Sequence, residues 1–119
     1  MLDFHRGFWG DLKQVEAQYG AAADIVIGEL TGALELLEVT GDPLDEQPGE
    51  PPIRAFSRYF YPSSAVWVAF ATRSRRRSPP MFVLHVVRAD GLPATRRYPP
   101  KPPDSFWAIA LSRLQNPEY

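Results

Sequence analysis

Four arginines fall within five residues, at Arg73, Arg75, Arg76 and Arg77, between two apolar segments. Guanidinium groups this close repel one another unless they meet anions, and phosphate suits them because each group donates two parallel hydrogen bonds. The cluster therefore predicts contact with RNA or the ribosome. Two alternatives stay open. In the first, the arginines stay within the molecule's own surface, where they pair with acidic residues of the same chain or are solvated in a loop. In the second, they bind an acidic protein partner.

Further basic residues follow the third apolar segment, and Arg54 and Arg58 share one face of an earlier segment. Together with Arg88 they are predicted to converge on one basic surface. Aromatic residues alternate with Arg54 and Arg58, so that bases could stack on exposed rings. The residues predicted to contact RNA are Arg73, Arg75, Arg76, Arg77, Arg96 and Arg97.

His85 is a polar residue within an otherwise apolar segment. Two interpretations are open: a buried, hydrogen-bonded histidine, or a general base that faces the basic surface. The only other histidine is His5, and cysteine is absent, which excludes disulfides, thiolate metal sites and cysteine nucleophiles. Phosphate-loop and dinucleotide-binding fingerprints are also missing, so the sequence predicts neither a metal nor a cofactor.

The two halves of the chain carry opposite charge. Residues 1–52 hold 11 Asp and Glu against 2 Lys and Arg, whereas residues 53–119 hold 3 against 11. A net charge of −1 and a pI near 6.1 thus conceal halves of about −9 and +8. A local basic surface is compatible with the acidic pI, and so is mutual neutralisation of the halves within the fold.

Residues 2–39 predict an antiparallel helix pair that turns at Gly20. Apolar residues recur at helical spacing in both helices, and Asp11 is assigned to the polar positions between the apolar residues of the first helix. Gly28 and Gly32 lie four residues apart in the second helix, and we expect the first helix to pack closely against them. The apolar stripes are Phe8, Leu12, Val15 and Tyr19 in the first helix and Val26, Leu30, Ala33 and Leu37 in the second.

The rest of the chain predicts a small sheet and a final helix. Residues 40–52 form an acidic loop rich in Pro and Gly, and residues 53–88 hold three antiparallel strands, two of them apolar at nearly every position. Residues 2–6 are expected to add a short first strand, and residues 104–116 a C-terminal helix. The prediction is one α+β domain, residues 1–119, with an N-terminal antiparallel helix pair packed on an antiparallel sheet of three to four strands.

This order of elements resembles the RelE/ParE toxin superfamily over roughly residues 2–114. The resemblance rests on element order and on the apolar segments 66–70, 81–88 and 106–114. It implies a small antiparallel sheet against an N-terminal helix pair, and an antitoxin protein as partner. Members of the RelE branch cleave messenger RNA on the ribosome, and those of the ParE branch poison gyrase.

Arg88 matches a family position at the end of the third strand that stabilises the cleaved phosphate. If the chain is a metal-independent endoribonuclease, Arg88 neutralises the oxyanion while His85 or Tyr98 moves the proton. The family's arginine at the start of the second sheet strand is replaced here by Ala65, and its tyrosine at the start of the last helix by Phe106.

A noncatalytic interaction or scaffold protein is the alternative from a different class. Its charged halves would bind opposite partners or a second copy of the chain, with Trp9, Trp67 and Trp107 as aromatic anchors. The sequence also predicts a cytoplasmic protein without membrane contact. No apolar run approaches the roughly 20 residues that span a bilayer, and the N-terminus lacks the pattern of a signal peptide.

Overall fold

We analysed a computed structural model of the chain that describes residues 2–43, 46–47, 49, 52–60, 63–72, 81–91 and 99–116. This part of the chain holds five strands and three helices. The strands are β1 (Leu2–Phe4), β2 (Glu46–Gln47), β3 (Arg54–Phe60), β4 (Ser64–Thr72) and β5 (Met81–Asp90), and the helices are α1 (Arg6–Tyr19), α2 (Ala23–Thr40) and α3 (Ser105–Gln115).

The strands form one mixed sheet in the order β1-β5-β4-β3-β2. The α+β class is confirmed, but the expected antiparallel sheet of three to four strands is wrong. β1 runs parallel to β5, with Leu2 opposite Met81, while the other pairs are antiparallel. A fifth strand, β2, arises inside the predicted loop because Gln47 pairs with Ala55 of β3. The short first strand expected within residues 2–6 is present as β1, whereas β2 is too short to show a period in the sequence.

The helical region 6–40 is nearly continuous and is interrupted only by a 3-10 turn at Gly20–Ala22. Gly20 has a φ of 58°, a conformation that glycine adopts without the steric cost of a side chain. α2 lies against α1. In the described part of the chain, no helix is both long and apolar enough to cross a membrane.

Helices cover both faces of the sheet, which explains why β4 is apolar at nearly every position. On one face, the α1 residues Phe8 and Val15 pack with Val66 and Val68 of β4. On the other face, Phe106 of α3 packs into a second core. The apolar stripe predicted for α2 is buried as expected, at Val26, Leu30, Ala33 and Leu37.

Gly28 and Gly32 are not packing sites, which corrects the expectation from the sequence. A Cβ built at either glycine has nothing within 4 Å, and both residues lie on the exposed side of α2. We therefore expect Gly28→Ala and Gly32→Ala to raise the free energy of unfolding by about 0.5–1 kcal/mol each, since glycine is a poor helix former. Urea unfolding tests this. A loss of stability in either variant would contradict the prediction, because it would show that the added methyl group clashes with a neighbouring group.

Candidate functional site

A β-bulge in β5 creates an irregular point at the edge of the sheet. Ala69 pairs with His85 but Phe70 pairs with Val83, so Leu84 is the extra residue. β1 ends opposite Val83. Beyond that point no described strand pairs with the outer edge of β5, and α1 packs along β5 instead. The bulge therefore lies where the chain must satisfy backbone groups with side chains.

Three charged or titratable side chains from three elements meet at this bulge. Asp11 of α1 lies 2.6 Å from Nδ1 of His85, measured to its Oδ2. Arg113 of α3 donates from Nη1 to the same oxygen and from Nη2 to Oδ1 at 3.3 Å. Nη1 also donates to the Leu84 carbonyl at 2.9 Å. The cluster ties both helices to the bulged strand, and we call it the edge cluster (Asp11, His85 and Arg113).

Two residues at the start of α1 support the edge cluster. His5 is buried; its Nδ1 accepts from the Gly7 backbone N–H at 3.0 Å, and its Nε2 donates to the Asn116 carbonyl at 3.3 Å. A Cβ at Gly7 would come within 2.6 Å of the Arg113 guanidinium. The absence of a side chain at Gly7 thus gives Arg113 the space to reach Asp11.

The electrostatics of the edge cluster favour an ionised Asp11. Burial by itself would raise the pKa of Asp11, but the hydrogen bonds and positive charges of His85 and Arg113 outweigh it and hold the pKa below its ordinary value of 3.8. The ionised carboxylate is therefore more stable in the folded chain than in the unfolded chain. Its contribution to stability is complete above about pH 4 and is lost as the pH falls through the lower, folded-state pKa.

This linkage gives a pH prediction. The free energy of unfolding of the wild-type chain should fall more steeply below about pH 4 than that of Asp11→Asn, because asparagine cannot titrate. Urea unfolding between pH 2.5 and 7 provides both curves, and the difference between them isolates Asp11 from the other carboxylates. Parallel curves would contradict the prediction.

The Asp11–His85 pair has the chemistry of a general base, but the His85 ring is not accessible to a substrate. A carboxylate only accepts hydrogen bonds, so Nδ1 of His85 carries the proton that is shared with Asp11. Nε2 is buried and finds no hydrogen-bond partner among the described residues. His85 is 4% exposed and its ring packs 5.5 Å from that of Phe106. In this conformation Nε2 cannot reach a substrate, so the geometry favours the buried, hydrogen-bonded reading of His85.

Arg88 is hydrogen-bonded at the C-terminal end of α1, away from the edge cluster. Its Nη1 donates to the Gln18 carbonyl at 2.6 Å, and its Nε donates to Asp90 at 3.0 Å. The guanidinium carbon lies 4.4 Å from the ring centroid of Tyr19. A cation on the last carbonyls of a helix stabilises the negative end of the helix dipole. With 27% of its side chain exposed, Arg88 has a structural role and still reaches solvent.

His85 and Arg88 lie on opposite faces of the sheet. They are three residues apart in a regularly paired stretch of β5, so their side chains alternate in direction. Arg88 contacts Tyr19 of α1, whereas the His85 ring packs on Phe106 of α3. Arg88 and His85 are therefore not placed together for RNA cleavage, and Tyr98, the other residue expected to move the proton, lies outside the described residues.

All six residues predicted to contact RNA lie outside the described residues. They are Arg73, Arg75, Arg76, Arg77, Arg96 and Arg97, and the predicted catalytic residue Tyr98 lies outside as well. The residues that flank them are described: Thr72 and Met81 border the first segment, and Gly91 and Pro99 border the second. Because these borders lie at opposite ends of the ten-residue β5, they are separated by about 30 Å along the strand.

Arg54 shows that the two charged halves meet within one chain. Its Nε donates to Glu46 at 2.6 Å, and its Nη2 donates to Asp42 at 3.3 Å. The guanidinium also covers the Phe70 ring, 4.9 Å from the centroid. Arg54 thus pairs with the acidic loop, as the alternative interpretation of the basic residues allowed for.

Sequence reasoning missed Asp11 and Arg113, although each interrupts an apolar stripe. Asp11 lies three residues after Phe8 and four before Val15, both buried, and its side chain is 14% exposed. Arg113 lies three residues after the buried Ala110. A charge on the buried stripe of each helix, together with a histidine in an apolar strand, is a signal for a buried ionic cluster.

The fold and the edge cluster define a small three-layer α+β domain with an ionic cluster at one sheet edge. Among the residues described, no group of three or more His, Asp and Glu side chains is placed to hold a metal ion. Comparison with protein-family models, curated proteins and solved structures gave no match.

Proposed function

We propose that this protein is an RNA-binding domain of the RelE/ParE toxin type, which contacts RNA or the ribosome through its two arginine-rich segments. The observation that carries the proposal is the position of residues 73–80 between adjacent antiparallel strands β4 and β5. This segment holds four arginines and no acidic residue. The residues that flank it, Thr72 and Met81, pair with each other at one end of the sheet, and binding residues commonly lie on loops that a rigid scaffold carries.

The described arginines support the choice of these two segments as the RNA-binding regions. Arg54 and Arg113 bond to acidic residues of the N-terminal half, and Arg88 to Asp90, so these guanidinium groups are engaged within the fold. The arginine-rich segments 73–80 and 92–98 contain six arginines and no acidic residue. The RelE/ParE type is proposed from the sequence resemblance alone, which rests on element order and on the apolar segments 66–70, 81–88 and 106–114.

The proposed binding does not require His85 as a catalyst. Its ring is buried, and Arg88 lies on the other face of the sheet. We therefore assign RNA binding to the arginines and assign His85 to the edge cluster.

Fluorescence anisotropy with a labelled single-stranded RNA tests the proposal. We expect the combined substitution of Arg75, Arg76 and Arg77 by alanine to weaken binding at 50 mM salt at least tenfold. It should also reduce the slope of log affinity against log salt by about 2, since each lost phosphate contact on a single strand removes roughly 0.7. Arg96→Ala with Arg97→Ala tests the second segment separately.

Matched controls are Arg6→Ala and Lys13→Ala, which remove exposed positive charges from α1. Both should bind RNA within about twofold of the wild-type chain. Expression of the wild-type chain should also arrest growth, and the arginine-to-alanine substitutions should relieve the arrest at equal protein levels. Failure of the wild-type chain to bind RNA at low salt, or equal binding by every variant, would overturn the proposal.

The noncatalytic alternative is a protein that self-associates through its charged halves. The bonds from Arg54 to Asp42 and Glu46 show that residues of the two halves are complementary, but they are satisfied within a single chain. Light scattering against ionic strength separates the two functions. A dimer that dissociates as salt rises and does not bind RNA supports self-association, whereas a salt-insensitive monomer that binds RNA supports the proposal.

A further inference from the structure

The outward side of α2 carries an apolar stripe that is exposed except at the half-buried Leu36. Ile25, Gly28, Gly32, Leu36 and Val39 recur at intervals of three and four, so they share one helix face. Ile25 is 69% exposed and Val39 is 83% exposed. Neither glycine has any atom within 4 Å of an ideal Cβ. We call this surface the α2 outer face.

The fold does not require this surface. The buried residues of α2, including Val26, Leu30 and Leu37, lie on a different side of the helix and face the sheet. Two glycines in the middle of an exposed helix lower its stability without a compensating contact in the described chain. Their absent side chains instead leave a shallow groove between Ile25 and Val39. A second helix could approach more closely there than over larger side chains.

The charges of α2 indicate what kind of helix fits. The helix has no Lys or Arg, and its four acidic residues are all exposed. At 100° per residue, Glu29 borders one side of the α2 outer face, and Asp24 and Glu35 border the other. A second copy of α2 would bring acidic borders against acidic borders, and an anionic lipid surface would be repelled.

We propose that the α2 outer face docks a basic amphipathic helix of another protein. Apolar and small side chains of that helix would cover Ile25, Gly32 and Val39, and Lys or Arg on its flanks would pair with Glu29 and Glu35. Electrostatic complementarity of this kind sets the orientation of a partner and excludes like-charged competitors. The proposal is independent of RNA binding, which involves the other half of the chain.

A pair of synthetic helical peptides tests the inference on the full-length chain. The probe has about 20 residues, to match the length of α2, with alanine and leucine on one face and lysine on both flanks. The matched peptide has glutamate in place of every lysine. Titration followed by amide NMR shifts should show binding of the lysine peptide with a Kd of about 100 μM or tighter at 50 mM salt. The shifts should map to residues 25–39, and the glutamate peptide should not bind.

Variants separate docking from folding. Gly32→Leu fills open space, so the chain should remain folded while its affinity for the lysine peptide falls at least tenfold. Glu29→Lys combined with Glu35→Lys should abolish binding. Glu16→Lys, an exposed charge change on α1, should leave binding within twofold.

Four results would overturn the inference: no binding of the lysine peptide, equal binding of both peptides, shifts centred away from α2, or full affinity in Gly32→Leu. A wild-type dimer that becomes monomeric in Gly32→Leu would also overturn it, because the occupant would then be a second copy of this chain. Loss of RNA binding in the arginine variants, with peptide binding intact, would show that the two functions are separate.

Discussion

Asp11→Ala is expected to lower the free energy of unfolding by about 3 kcal/mol, because it leaves a largely buried guanidinium without its carboxylate partner. The Asp11 carboxylate bonds to both Nη1 and Nη2 of Arg113 and to Nδ1 of His85. Its removal also leaves Nδ1 of His85 without an acceptor, at a residue that is buried. Loss of one partner from a buried hydrogen-bonded charge pair costs more than the pair contributes.

Urea unfolding at pH 7 measures this effect. Glu16→Ala is the matched control, since Glu16 lies on the same helix and is exposed, and its substitution should change stability by under about 0.5 kcal/mol. A loss below about 1 kcal/mol in Asp11→Ala would contradict the prediction. It would mean that water or a rearranged Arg113 replaces the carboxylate.

The edge cluster also shows where sequence reasoning reached its limit. Helical spacing identified the buried residues of α2, because a 3.6-residue period marks a covered face regardless of the partner. The same reasoning assigned Asp11 to the polar side of α1. Asp11 and Arg113 are 102 residues apart, and their pairing depends on how α1 and α3 meet at β5. A single sequence does not contain that long-range placement.

The bulge at Leu84 is a second feature that the sequence does not reveal. A strand as apolar as β5 is either covered on both faces or offers one face to a partner, and in the structure both faces are covered. Yet no alternation in this segment marks the extra residue, since Leu84 and its neighbour Val83 are both apolar. The bulge leaves Leu84 outside the strand pairing, and its carbonyl accepts from Arg113. A local irregularity in β5 thus determines where α3 is attached.

Phe106→Ala should lower the free energy of unfolding by about 3–5 kcal/mol, because it leaves a cavity in the core between α3 and the sheet. Phe106 is fully buried, and its ring lies 4.9 Å from Trp107 and 6.1 Å from Trp67, measured between centroids. Near-ultraviolet circular dichroism should weaken as both tryptophans lose a fixed aromatic neighbour. Leu111→Ala, on the exposed side of α3, is the control and should cost under about 1 kcal/mol.

The two substitutions should not be additive, because both act on the attachment of α3. Phe106 anchors α3 in the core that contains Trp67, and Arg113 anchors the same helix to Asp11. If α3 is loosened in Phe106→Ala, Arg113 no longer reaches Asp11 in the folded chain. Adding Asp11→Ala should then cost at least 1 kcal/mol less than it does in the wild-type background. Additive losses in this double-mutant cycle would show that Arg113 holds Asp11 without Phe106, and that the edge cluster is independent of α3 packing.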